Sequence, residues 1–258
     1  IERTPIVVHY RNHRVVSASL PSSGGVLLAQ MLNMLRARPL GELSAADRVH
    51  LLVEVMRRAY ADRAAYLGDS DYVPVPLAGL LSPAYAFRRA QTIDMARAMP
   101  SVAPSVGTDE GRETTHFSVL DREGNRVAAT LSINYPFGAC FVPPGTGVLL
   151  NNEMDDFLTV RGQSNMFELV QSEANLVAPG KRPLSSMTPT LALAGGSVVM
   201  VAGGPGGQFA NVLERADVYG QAAAQQVPLS AKLVRSDKAG LIAGTGPAGE
   251  KLGVAGVQ

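Results

Sequence analysis

Residues 114–156 read TTHFSVLDREGNRVAATLSINYPFGACFVPPGTGVLLNNEMDD, and this stretch decides the fold. It begins with Thr114-Thr115, directly after residues 99–113 (MPSVAPSVGTDEGRE), a run of Pro, Ser, Gly and acid without periodicity that reads as a linker or exposed loop. Residues 115–120 and 126–133 alternate as strands around Asp121-Arg122-Glu123-Gly124-Asn125, a hairpin signal. Residues 141–151 predict further β structure, interrupted by Pro143-Pro144-Gly145. The stretch closes on the acidic turn Asn151-Asn152-Glu153-Met154-Asp155-Asp156. Taken singly, the threonines read as a strand's first residues and the acidic run as a solvated turn.

Upstream, residues 5–20 predict two short strands around the polar turn Arg11-Asn12-His13. Pro21-Ser22-Ser23-Gly24-Gly25 predicts a turn into a helix over 26–36, with Val26, Leu27, Met31, Leu32 and Leu35 on one face. Ser44-Ala45-Ala46-Asp47 is a capping-box pattern opening a helix to about Tyr66. Its apolar stripe is Val49, Leu52, Val53, Met56, Ala59 and Tyr60, and Leu67-Gly68-Asp69 stops it. Ser82-Pro83 starts a third helix, carried to about Arg97. Downstream, 158–180 reads as a mobile surface loop. Residues 191–194 and 198–201 form a second hairpin turned by Gly195-Gly196, leading to Gly203-Gly204-Pro205-Gly206-Gly207 and a helix over about 209–225. Helices, then strands, then a helix predict α+β layering rather than strict βαβ alternation.

The 258 residues suffice for one large domain or two small ones, and a net charge of +1 without a basic run gives no case for nucleic acid. The one cysteine, Cys140, excludes an internal disulfide, and its apolar context FGACFV reads as a buried, inert thiol. His9, His13, His50 and His116 show no metal-ligand spacing, so no metal or other cofactor is expected. No apolar run is long enough to span a membrane, and residue 1 begins no signal peptide. The opening residues already alternate like a strand pair, so the chain is expected to begin inside a domain.

A threonine hydroxyl is a weak nucleophile until a base takes its proton. If the chain is cut just before the threonine, the new α-amine, with a pKa of roughly 8, can be that base. A loop ending at a Thr-Thr that opens a core strand meets this requirement, although on spacing alone the ordinary strand start is favoured.

The order and spacing of several pieces tip the balance: Pro21-Ser22-Ser23-Gly24-Gly25, Tyr60-Ala61-Asp62-Arg63, Leu67-Gly68-Asp69, Thr114-Thr115-His116-Phe117-Ser118, residues 151–157, Pro183-Leu184-Ser185-Ser186-Met187 and Gly204-Pro205-Gly206-Gly207. Together, over about residues 1–208, they resemble the γ-glutamyltransferase (γ-glutamyl transpeptidase) family of self-processing Ntn-hydrolases. The resemblance implies an αββα four-layer sandwich, incompletely represented in this chain, with a large-subunit-like segment 1–113 and a small-subunit-like segment 114–258. It implies cleavage of Glu113–Thr114, Thr114 as nucleophile, and Thr130 and Ser132 as hydroxyls supporting it and its amine. The family often has threonine where Ser132 stands. Gly206 and Gly207 match the oxyanion-hole pair. Asn134, Glu153 and Asp156 match the group around the substrate's α-ammonium, and Ser185 and Ser186 the hydroxyls at its α-carboxylate.

The same resemblance implies an enzyme acting on glutathione and other γ-glutamyl compounds through a γ-glutamyl-threonine ester, resolved by water or by an amino-acid or peptide acceptor. A periplasmic or secreted location follows from it too. The family's carboxylate-clamping arginine falls upstream of this chain, so an upstream segment is an expected partner, as are the two cleavage pieces for each other. Phe167 stands where many bacterial members carry a lid tyrosine, and beyond Gln208 the family signatures are not recognisable. Two other readings are a related acylase (cephalosporin acylase-like or a polyglutamate transpeptidase) and a catalytically silent truncated homologue.

Overall fold

The computed structural model describes residues 2–99, 114–161 and 172–204, with the backbone of 233–235 and 242–244. Strands β1 (Ile6–Tyr10) and β2 (His13–Ser17) are followed by helices α1 (Gly24–Leu35), α2 (Ala45–Tyr66), α3 (Leu77–Leu80) and α4 (Pro83–Gln91). Then come β3 (Thr114–Leu120), β4 (Arg126–Ser132), β5 (Thr190–Ala194), β6 (Ser197–Ala202), β7 (Leu233–Arg235) and β8 (Ile242–Gly244). The chain divides into two compact units, each drawn from both sides of Thr114. The first comprises Ile1–Asn12, Ser19–Thr108 and Met154–Ser185; the second His13–Ala18, Asp109–Glu153 and Ser186–Gln258.

In the first, largely helical unit, α1 packs against β1, α2 and α4. Gly24 and Gly25 lie inside the first turn of α1 rather than in a turn before it, and the buried side chains are Val26, Leu27, Ala29, Gln30, Met34 and Leu35. Met31 and Leu32 are only half-buried. Helix α2 starts as the capping box predicts: the Ser44 hydroxyl accepts the Asp47 amide at 3.1 Å.

The buried face of α2 differs from the apolar stripe. Val49 is 50% exposed, whereas Leu51, Glu54, Val55, Arg58, Ala59, Asp62 and Arg63 face inward. Charge can occupy that face because each group is paired. Arg58 donates to the Glu54 carboxylate at 2.5 Å, to the Thr92 hydroxyl at 2.8 Å and to the Thr92 carbonyl at 2.6 Å. Asp62 accepts from Gln30 (2.9 Å), the Tyr85 hydroxyl (2.9 Å) and Arg89 (3.0 Å). Burial and the Asp62 carboxylate push the Tyr85 phenol up to about 12. The same arginine explains why α4 ends at Gln91 and not near Arg97: Arg58 occupies the Thr92 carbonyl, and the Thr92 hydroxyl turns back to the Arg89 carbonyl.

In the second unit, β2, β5 and β6 run antiparallel in that order, and β3 pairs with β4. Strand β4 contacts β6 around Ala128, Val201, Leu191 and Val198. Both predicted hairpins form. Residues 141–151 make no strand: Pro143 and Pro144 lack amide donors, Gly145 and Gly147 have positive φ, and only loose turns result. Cys140 is exposed rather than buried, in a left-handed conformation (φ 52°) within those turns.

The predicted loop 158–180 is anchored where it is described. Leu158 and Leu176 form a parallel bridge, and the fully buried Asn175 sits beside it in the first unit. The linker 100–113, Phe167, Pro205-Gly206-Gly207 and the helix expected over 209–225 lie outside the described residues.

Glu54 is buried, which alone would raise its pKa, but its bonds to Arg58 and the Met99 amide and the Arg57 charge hold it below the usual carboxylate value. A depressed folded-state pKa stabilises the fold above the usual carboxylate range, and this contribution disappears as pH falls through the depressed value. Glu54→Gln is therefore expected to cost about 3–5 kcal/mol near neutral pH by stranding Arg58, with the gap to wild type narrowing in acid. Urea unfolding between neutral pH and the acid limb measures both features.

Candidate active site

The β3–β4 register sets Thr114 opposite Ser132 and His116 opposite Thr130. Positions two apart share a face of the hairpin, so these four side chains form one polar row. Thr114 Oγ1 donates to Ser132 Oγ at 3.2 Å, and Ser132 Oγ accepts the Asn134 amide at 2.9 Å. The Thr130 hydroxyl is fully buried and sits 2.8 Å from His116 Nδ1, the donor role following the imidazole tautomer. Burial holds the His116 pKa below its ordinary value, favouring a neutral ring at pH 7.

Beyond Ser132 the backbone turns sharply, with Asn134 at φ 72°, a left-handed conformation that asparagine tolerates better than most residues. Its side-chain amide donates to the Asn152 carbonyl at 3.1 Å, while Asn152 Oδ1 accepts the Tyr135 amide at 3.0 Å. These bonds bring the 151–153 segment beside the end of β4, where the Glu153 amide donates to Asn151 Oδ1 at 3.0 Å. The Ser186 hydroxyl is buried without a hydrogen-bond partner among the described residues, an orphan that a ligand can satisfy.

The first unit positions Asp156 and Ser185. The Asp156 carbonyl accepts from Asn175 Nδ2 at 2.8 Å, and Asn175 Oδ1 accepts the Leu184 amide at 2.9 Å. The Ser185 carbonyl accepts both the Ser23 amide (2.9 Å) and the Ser23 hydroxyl (2.8 Å), while the Ser185 amide donates to the Pro21 carbonyl at 3.0 Å. Ser23 thus precedes α1 without capping it; its hydroxyl is committed elsewhere. Desolvation pushes the buried Arg63 down to about 10, opposed by the charges of Tyr60 and Asp156. Arg182 is engaged structurally: its amide donates to Asp69 at 3.0 Å and its guanidinium to Asp71 at 3.0 Å.

Thr114 and Ser132 therefore touch, Asn134 adjoins Ser132 through its backbone, and Thr130 bonds to His116. Glu113, Gly206 and Gly207 lie outside the described residues. Sequence reasoning assigned no role to His116, Asn152, Asn175, Ser23 or Arg63. A signal existed for His116, two residues from Thr114 in an alternating strand, and for Ser23 and Arg63 inside the quoted motifs. Among the described residues no helix is long and apolar enough to cross a membrane.

The fold is α+β, of the Ntn-hydrolase class. It covers 92% of this chain at a TM-score of 0.58 and 28% identity against the solved structure of LmbA2991HD, of which it spans 40%. Against a cephalosporin acylase from Bacillus halodurans the TM-score is 0.57 at 22% identity, covering 77% of this chain and 33% of that one, a likeness of fold alone. Residues 1–213 match the Gamma-glutamyltranspeptidase family, and the chain belongs to it. A glutathione hydrolase proenzyme of Pseudomonas sp. (strain A14) is 48% identical over 210 residues, 80% of this chain and 36% of the relative. The glutathione hydrolase proenzyme of Escherichia coli (strain K12) is 44% identical over 212 residues, 80% of this chain and 37% of its own length. An Acylase ACY 1 proenzyme of Pseudomonas sp. (strain SE83) is 41% identical over 206 residues, 79% of this chain and 35% of its own length. The chain thus spans little more than a third of these relatives.

A Cβ added at Gly203 would overlap the His116 imidazole, so Gly203→Ala must displace the ring that pairs with Thr130. The expected cost is about 1–3 kcal/mol, as for other overpacked sites, and it should shrink markedly in a His116→Ala background. A double-mutant cycle by thermal unfolding reads the coupling.

Proposed function

We propose that this chain carries the nucleophile of a self-processing γ-glutamyl transferase/hydrolase acting on glutathione and related γ-glutamyl compounds. One observation carries the reading: Thr114 opens strand β3 with its hydroxyl on Ser132, in a chain matching the Gamma-glutamyltranspeptidase family throughout this stretch. Thr114 Oγ1 first attacks the Glu113 carbonyl, and the resulting ester is hydrolysed to give two pieces that stay together. The freed α-amine then takes the Thr114 proton, Oγ1 attacks the γ-carbonyl, and the proton passes to the departing amine. A γ-glutamyl ester on Thr114 remains until water or an acceptor amine resolves it.

Gly206 and Gly207 supply the oxyanion amides, where one lost donor costs roughly 3–4 kcal/mol. Asn134, Glu153 and Asp156 receive the α-ammonium; Ser185 and Ser186 receive the α-carboxylate, consistent with the orphan Ser186 hydroxyl. Ser132 and Thr130 hold the nucleophilic row, with Thr130 acting through His116. The proposal requires neither metal nor other cofactor. The names of the proenzyme relatives support maturation by cleavage, and the family suggests the periplasm or secretion. The 41% identity to an acylase proenzyme favours a second reading, transfer of an acyl group without the α-amine.

L-γ-glutamyl-p-nitroanilide and glutaryl-p-nitroanilide, which differ only in the α-amine, separate the two. Preference for the γ-glutamyl donor supports the first reading; preference for glutaryl supports the acylase, and turnover of neither contradicts both. Ser132→Ala is expected to lower kcat about tenfold, the worth of one good hydrogen bond, while Ser132→Thr keeps most of it. The rate should rise with pH and level off above roughly 8 as the α-amine loses its proton.

A further inference from the structure

Arg63 takes no part in the chemistry proposed above, yet segments that do converge on its side chain. It is 2% exposed on α2. Its Nε donates to the Ser23 hydroxyl at 3.1 Å and one terminal nitrogen donates to the Leu184 carbonyl at 3.4 Å. Ser23 in turn donates to the Ser185 carbonyl at 2.8 Å, so guanidinium, hydroxyl and main chain form one relay. The Asp156 charge favours the buried cation. Asn175 closes the ring, joining the Asp156 carbonyl to the Leu184 amide.

Burying a cation costs several kcal/mol, and an apolar side chain of similar volume would fill the space without that cost. What an apolar residue lacks is a rigid fork of donors together with a charge that attracts Asp156. We infer that Arg63 is a positioning residue that locks Leu184-Ser185 and Asp156 into one geometry. It thereby sets how sharply the site reads the α-ammonium of its substrate. The inference rests on the function proposed above and adds the residue that governs selectivity at the α-carbon.

Arg63→Gln, Arg63→Lys and Ser23→Ala, compared with wild type on the two p-nitroanilides, test it. In Arg63→Gln the preference for the γ-glutamyl over the glutaryl donor should fall about tenfold, through a higher KM for the γ-glutamyl donor and with kcat within about threefold. Arg63→Lys should recover part of the preference, since it restores the charge but not the fork. Ser23→Ala should shift it in the same direction by a smaller factor, and decides the matter if Arg63→Gln does not fold. Equal losses on both donors, or an unchanged preference, would overturn the inference while leaving the proposed function standing. A wild-type protein that turns over neither donor would overturn the function, and the inference with it.

Discussion

In an antiparallel pair a slip of one residue sends every side chain to the opposite face. The polar row at the head of β3 exists only in the observed register, with Thr114 against Ser132 and His116 against Thr130. Much of the second unit maintains that alignment. The Asp121–Asn125 turn closes the hairpin, with the Asn125 amide donating to Asp121 Oδ1 at 2.7 Å. Ala128, farther along the same face of β4 as Thr130 and Ser132, is buried with Val201, and Gly203 leaves room for the imidazole. Asn134 then turns the chain out of the strand and fastens it to Asn152, so the nucleophile strand and the acidic segment share one anchorage.

The first unit meets a different constraint. Its central helix buries Glu54, Arg58, Asp62 and Arg63, four ionisable groups on one helix. Such an arrangement tolerates little change, since removing any partner leaves a buried charge exposed to the full desolvation cost. Asp62 and Arg63 are adjacent in sequence but serve different neighbours. Asp62 ties α1, α2 and α4 together through Gln30, Tyr85 and Arg89, while Arg63 reaches Ser23 and Leu184. The helix core and the segments assigned to the substrate's α-carbon are thus coupled through neighbouring residues of α2.

What the sequence made legible was mostly local. The Ser44 cap, the Ser82-Pro83 start and both hairpin turns involve residues within a few positions of each other, and all formed. The buried face of α2 departs from its apolar stripe because apolar periodicity presumes an apolar interior. Here the buried stripe alternates Leu51 and Val55 with charges whose partners, beyond the local bonds around Glu54, lie 23 to 121 residues away. The end of α4 escaped for the same reason, being fixed by Arg58 from another helix. Cys140 departs from the buried position that its apolar context implies because its neighbours Phe137, Phe141 and Val142 are themselves exposed. The site followed the same rule: Thr114 was legible from the family motifs, but the Thr130–His116 pair and the Arg63 relay required the fold.

The claim on which the rest depends is that Thr114 becomes an N-terminus. Intact mass together with N-terminal sequencing of the purified protein, beside a Thr114→Ala control, tests it most directly. Two pieces, one beginning Thr-Thr-His-Phe-Ser and absent from the control, are the predicted result. A single chain that stays uncut after prolonged incubation, or a cut that persists in the control, would contradict it.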